Sequence, residues 1–142
     1  MKLSLVNALD SDFEFLLNLR MKTMDEHLRN AGLFLTLEQH SARVKDKFQL
    51  SHIILAGTQR VGFIKFENSA SNIVIHQFQV LSEHQGKGYG REVLNHILSN
   101  GHGKVVCLTA LKQNPAYRLY KSLGFIKVGE DTYEYHLECK TR

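Results

Sequence analysis

Three glycines punctuate the stretch Gln85-Gly86-Lys87-Gly88-Tyr89-Gly90-Arg91, and what flanks it constrains the fold more than any other feature of the chain. Asn72 to Leu81 before it is a β-rich run, while Val93, Leu94, Ile97 and Leu98 after it mark an amphipathic helix ending near Gly101. Lys104 to Ala110 then reads as another strand. Strand, glycine loop, helix and strand make one crossover unit, whose two strands pair in parallel. Glycines let the backbone approach a ligand closely and adopt conformations closed to other residues. The first N–H groups of the following helix lack internal partners and carry the positive end of its dipole. With Lys87 and Arg91 beside them, they suit an anion, phosphate above all. No G-x-x-x-x-G-K-[ST] string is present, and Arg91 stands where a dinucleotide fingerprint needs its third glycine. Taken alone, the loop is either a phosphate cradle or a turn that merely starts a helix.

The remaining elements follow from spacing. Leu3 to Val6 is a short strand. Ser11 and Glu14 are placed as a capping box for a helix with Phe13, Leu16, Leu17, Met21, Met24 and Leu28 on its apolar face. Thr36 and Gln39 form a second box, opening a helix with Leu37, Val44 and Phe48 on the buried stripe. His52 to Ala56 and Val61 to Phe66 make a hairpin through Gly57-Thr58-Gln59-Arg60. Asn114-Pro115 starts a helix with Ala116, Leu119, Tyr120 and Leu123 on one face, closed by Gly124. Phe125 to Val128 and Thr132 to Cys139 are the last strands. The order β-α-α-β-β-β-α-β-α-β-β lacks strict alternation, which points to an α/β domain of the mixed-sheet, α+β kind. With no repeat or linker in the chain, residues 1–142 are expected to form one domain.

Composition excludes several classes. Of 142 residues, 43% are hydrophobic and 23% charged, as in an ordinary globular protein. The excess of 18 Lys and Arg over 14 Asp and Glu is spread along the chain. It favours a small polyanionic ligand, and without basic–aromatic interleaving no nucleic-acid partner is expected. No apolar run approaches the roughly 18 residues of a membrane span, and Asn7, Asp10 and Asp12 come too early for a secretory leader. A cytoplasmic protein without membrane partners, monomeric or homodimeric, is the expectation. Cys107 and Cys139 lack redox or zinc spacing, and the eight histidines form no ligand pair, so no metal is expected.

Val80-Leu81-Ser82-Glu83-His84 followed by Gln85-x-x-Gly88-x-Gly90 resembles the acetyl-CoA loop of the GCN5-related N-acetyltransferases (GNAT). Downstream, Asn114-Pro115-Ala116-Tyr117-Arg118-Leu119-Tyr120-Lys121-Ser122-Leu123-Gly124-Phe125 resembles that family's second landmark, an Asn-led helix with a tyrosine, ending in Gly-Phe. The likeness is strong from about Ile53 onward and weak across the N-terminal helices. It implies a mostly antiparallel central sheet with one parallel pair splayed at the cofactor site. It also implies that Phe78, Gln79 and Val80 offer main-chain contacts to the pantetheine arm of acetyl-CoA, the Val80 N–H facing the thioester carbonyl. Gln85, Gly86, Lys87, Gly88, Tyr89, Gly90 and Arg91 would wrap the pyrophosphate, and Asn114 would touch the cofactor while also capping its helix. Tyr120 aligns with the tyrosine that protonates the departing thiolate in many members; by spacing alone it is equally a core aromatic.

Many members carry a glutamate base on the strand corresponding to Asn72–Leu81, and this chain has no carboxylate there. Strict alternation would put Val74, His76, Phe78 and Val80 on one face, leaving His76 as its only titratable side chain. His76 is either the general base or a strand histidine bonded to a neighbour, with Glu26, His27 or water as the other candidate bases. Arg20, Glu26 and His27 either meet the acceptor or form a solvated face. The resemblance implies an enzyme that moves acetyl directly from acetyl-CoA to a primary amine of a small molecule or peptide, with no metal. The alternative is a CoA-binding sensor or interaction module on the same fold, without turnover.

Overall fold

The computed structural model describes residues 2–142. Its elements are β1 (Leu3–Asn7), α1 (Phe13–Asn30), α2 (Leu37–Lys45), β2 (Ser51–Ala56), β3 (Gln59–Asn68), β4 (Asn72–Val80), α3 (Tyr89–Ser99), β5 (Val105–Leu111), α4 (Ala116–Ser122), β6 (Ile126–Glu130) and β7 (Glu134–Lys140). Short 3-10 turns stand before α1, before β2 and after β4. The strands form one seven-stranded sheet in the order β1-β2-β3-β4-β5-β7-β6. Only β4 and β5 pair in parallel, across the glycine-loop crossover; every other pair is antiparallel. The mixed α/β class and the splayed parallel pair expected from the sequence are both present.

Alternation sorts side chains to the two faces of the sheet. Ile54 and Ile64 join Val93, Leu94 and Ile97 of α3 and Tyr120 of α4 in the larger core. Their neighbours Ile53 and Phe63 turn the other way, against Leu16 and Leu19 of α1 and Val44 of α2. Glu92 ties α3 to the sheet edge by accepting the Leu3 N–H at 2.8 Å. Among the described residues, no helix is long and apolar enough to cross a membrane.

The N-terminal helices depart from the sequence expectation. Ser11 does not cap α1: a 3-10 turn over Asp10–Asp12 precedes it, and Asp12 accepts the Leu9 N–H at 2.8 Å instead. Asp12 therefore takes the capping part assigned to the Ser11–Glu14 pair, three residues after Leu9. The Thr36–Gln39 box forms, with Gln39 N–H donating to Thr36 Oγ1 at 3.1 Å and Thr36 N–H to Gln39 Oε1 at 2.8 Å. Yet Leu37 is 58% exposed, and Phe48 falls in a 3-10 turn past the helix; His40 and Val44 are the buried residues of α2. A polar group inside that stripe escapes any reading based on apolar spacing.

Lys65 explains how α2 can end against the sheet. It is buried on β3, and its ammonium donates to the carbonyls of Arg43 at 3.0 Å, Val44 at 3.2 Å and Asp46. The last carbonyls of a helix have no internal donor, and a cation there also complements the dipole. Lys65→Met keeps similar length but leaves those carbonyls without their donor. It is expected to cost about 2–4 kcal/mol, read from the urea midpoint, since each orphaned buried acceptor costs about 1–3. An unchanged midpoint would show that water replaces the ammonium without penalty.

Candidate active site

The site begins where β4 and β5 stop pairing. They are joined only from Asn72 to Val74 and from Val105 to Cys107, and beyond that they part. A bulge in β4 accompanies the parting. Lys65 lies opposite Gln77, but the next β3 residue, Phe66, lies opposite Ile75, so His76 is an extra residue without a partner. The side-chain parity therefore flips at His76: Ile73, Ile75 and Phe78 all join the core with α3. This corrects the expectation that Val74, His76, Phe78 and Val80 share one face. Leu81 N–H donates to Val61 O at 2.8 Å, so alternation turns the amides of Val80 and Phe78 away from β3, into the opening. Gly62 permits this course, because a Cβ there would sit 2.4 Å from Gln79 O.

The glycine loop closes one side of the opening. Gly86 and Gly88 both have φ of +80°, and Gly88 is the N-cap of α3. Only glycine holds that conformation readily, and nothing crowds either position. Gln85 Nε2 donates to Val80 O at 3.0 Å, fastening the loop to the end of β4. Gly90 brings the first turn of α3 close to α4 and β4: a Cβ there would meet Leu119 Cδ2 at 3.4 Å and Phe78 Cζ at 3.7 Å. Arg91 bonds Ser122 of α4 at 2.8 Å.

A cavity of about 430 Å³ lies between these elements. Phe78, Gln79, Val80, Gln85, Gly86, Gly88, Tyr89, Gly90, Arg91, Asn114 and Tyr120 all line it; Lys87 does not. His27 of α1 lines it too, while Glu26 is exposed and lines neither this cavity nor the next. Sequence reasoning passed over Thr23, Met24 and His84. His84 is buried, with both ring nitrogens free of hydrogen-bond partners among the described residues and Glu83 Oε1 3.8 Å from Nε2. Its place beside Gln85 in the loop was the signal available for it.

Asn114 Oδ1 accepts the Ala116 N–H at 2.9 Å, so the side chain does cap the start of α4. Tyr120 is packed edge-on against Phe125, its ring centroid 5.8 Å away. Its hydroxyl has no protein hydrogen-bond partner among the described residues, and burial pushes its pKa up to about 12. It is thus a protonated phenol at neutral pH, available to whatever enters the cavity.

A second cavity, of about 380 Å³, shares Met24, Phe78, Gln79, Asn114 and Tyr120 with the first. These residues are where the two meet. His76 lines the second cavity only, and its Nε2 lies 3.1 Å from Glu67 Oε1, a carboxylate also held by Lys47 at 2.9 Å. Arg20, Arg43, Gln77, Thr109 and Glu134 add polar groups to its wall. Thr109 and Glu134 lie on β5 and β7, where nothing in the local sequence marks them. The described residues hold no group of three or more His, Cys, Asp or Glu side chains placed to ligate a metal.

Known proteins show the same architecture. An acetyltransferase from Thermus thermophilus superposes with a TM-score of 0.78 at 17% identity, over 99% of this chain and 97% of that one. The PaiA N-acetyltransferase of Thermoplasma acidophilum, solved in complex with coenzyme A, gives 0.73 at 16% identity over 99% of each chain. At such identities the likeness is one of fold. A 90-residue stretch is 33% identical to N-acetylaspartate synthetase of Danio rerio, covering 59% of this chain and 32% of that protein. The chain thus spans about a third of the length of that relative. Residues 22–139, most of the chain and both halves of the opening, match the family of the acetyltransferase (GNAT) domain. The chain belongs to the GNAT acetyltransferase family.

Proposed function

We propose that this protein transfers an acetyl group from acetyl-CoA directly to a primary amine of a small molecule or peptide. One observation carries the reading: two cavities, one walled by a phosphate-type glycine loop, meet at the unpaired edge of β4 beside a protonated phenol. A thioester drawn through the first cavity and an amine through the second would come together there, converting a bimolecular step into an oriented one.

The roles follow from the groups present. The open loop with Gly86 and Gly88 at positive φ and the N-terminus of α3 suit a pyrophosphate, Arg91 and Lys87 supplying charge. The turned-out amides of Phe78 and Val80 suit the amide and carbonyl oxygens of a pantetheine thioester. A fixed N–H at Val80 would stabilise the oxyanion as the amine attacks. Tyr120 is the acid that returns a proton to the leaving sulfur. His76 is the base: with Glu67 on Nε2, its Nδ1 remains to take the amine proton. We further propose one domain over residues 1–142 working in a reducing cytoplasm, in keeping with Cys107 and Cys139 as free thiols.

Acetyl-CoA is expected to raise the melting temperature, because it binds only the folded state. Gly88→Val forces a β-branched residue into left-handed backbone and is expected to abolish that rise while the protein still folds; a rise that persists would contradict the loop's role. Tyr120→Phe keeps the ring and its packing but removes the proton. Its kcat is expected to fall by roughly 10²–10⁴ with acetyl-CoA binding retained; full activity would return Tyr120 to a packing role. The same variant tests the burial of the phenol. An unfolded tyrosine ionises near 10 and Tyr120 near about 12, so between those values the unfolded state has lost a proton that the folded state keeps. Wild-type stability is expected to fall as pH rises through that window, and Tyr120→Phe to lose that part of the fall.

A further inference from the structure

The second cavity carries a charge that amine acetylation alone does not use. Arg20, on α1, is only 5% exposed, yet it forms no ion pair among the described residues. Its Nε donates to Nδ1 of His40 at 3.2 Å, and its terminal nitrogens find no protein acceptor among the described residues. Burial, and next the charge of Arg20, holds His40 below the usual histidine range. The ring is therefore neutral at pH 7: Nδ1 accepts from Arg20, and Nε2–H faces Asp25 Oδ1 at 3.6 Å. Asp25 is itself held by Arg29 at 2.8 Å. The bond to Nδ1 fixes the direction of Arg20 without neutralising it, and Nε2 has no hydrogen-bond partner among the described residues.

Arg43, one turn beyond His40 on α2, lines the same cavity as a second cation. Burial, together with that neighbouring charge, brings Arg20 to about 10, still protonated at neutral pH. The acid among the cavity's lining residues, Glu134, is engaged by Thr109 at 3.0 Å and by neither arginine. A buried, unpaired guanidinium is costly unless a ligand completes it, and its fork matches a carboxylate. Met24, four residues on from Arg20 along one face of α1, lines both cavities. Arg20 thus stands about one helical turn, roughly 6 Å, from where they join. Gln79 also lines both cavities at that junction.

We infer that the acceptor is a compact amine bearing a carboxylate a few bonds from its nitrogen, the carboxylate held by Arg20 with Arg43 in support. This rests on the acetyltransferase reading for the amine, and on the arginines alone for the anion. Two assays keep those apart. Thiol release from acetyl-CoA is measured with α-amino acids and their carboxamides, and melting shifts are measured with the N-acetyl acids and N-acetyl carboxamides.

The wild type is expected to favour acids over carboxamides by about tenfold or more in kcat/KM, and only the N-acetyl acids should raise its melting temperature. Arg20→Gln is expected to raise KM for the acids on the order of ten- to a hundredfold, more than it lowers kcat, and to remove the melting shift. Arg20→Lys keeps the charge without the fork and should recover part of the loss. If Arg20→Gln folds poorly, Arg43→Gln on the exposed side of α2 should move the same KM the same way by less. A carboxylate-dependent shift with no amine turned over would refute acetyl transfer and leave the anion site standing. Equal treatment of acids and carboxamides in both assays, or an acid preference that the arginine variants keep, would overturn the anion site.

Discussion

Everything about the site depends on two neighbouring strands ceasing to pair. From Ile75 onward β4 has β3 on one side and an opening on the other. Backbone amides that face no partner are a cost in any sheet, and the fold retains them through several local devices. The bulge at His76 redirects β4, Gly62 lets its end lie close to β3, and Gln85 takes up the Val80 carbonyl. Side chains of Phe78 and Tyr120 line the resulting gap. The same opening serves both cavities, which is why a single tyrosine can face each of them.

The N-terminal helices form the opposite wall, and they are held by charge as much as by apolar packing. Lys65 caps α2 from beneath, while His40 accepts from Arg20 and orients it across the α1–α2 contact. Fixed partners offset the burial of the Lys65 ammonium and of His40 Nδ1, whereas His40 Nε2 and the cavity-facing side of Arg20 have no hydrogen-bond partner among the described residues. Core residues elsewhere follow ordinary alternation, with Ile53 and Ile54, or Phe63 and Ile64, sent to opposite faces.

This division explains what could be read in the sequence. The element order, the parallel crossover and the glycine loop were legible because each is local: period-2 runs, capping residues, and glycines where positive φ is needed. The Asn114 cap and the Thr36–Gln39 box were legible for the same reason. His76 was placed on the wrong face because a bulge breaks alternation without changing composition. Arg20, read only as an acceptor contact or part of a solvated face, and His40 had their burial hidden for a different reason. Their burial depends on one another across two helices, and helical spacing of apolar residues passes over both. Thr109 and Glu134 reach the second cavity only through strand order.

The central claim is that the unpaired edge of β4 receives the acyl-CoA. Hydrogen exchange of individual amides, followed by NMR with and without saturating acetyl-CoA, tests it most directly. The account predicts that Phe78 and Val80 exchange quickly in the free protein and become protected when acetyl-CoA is added, while Gln79, paired with β3, is protected throughout. Fast exchange at Phe78 and Val80 that saturating acetyl-CoA leaves unchanged would contradict it.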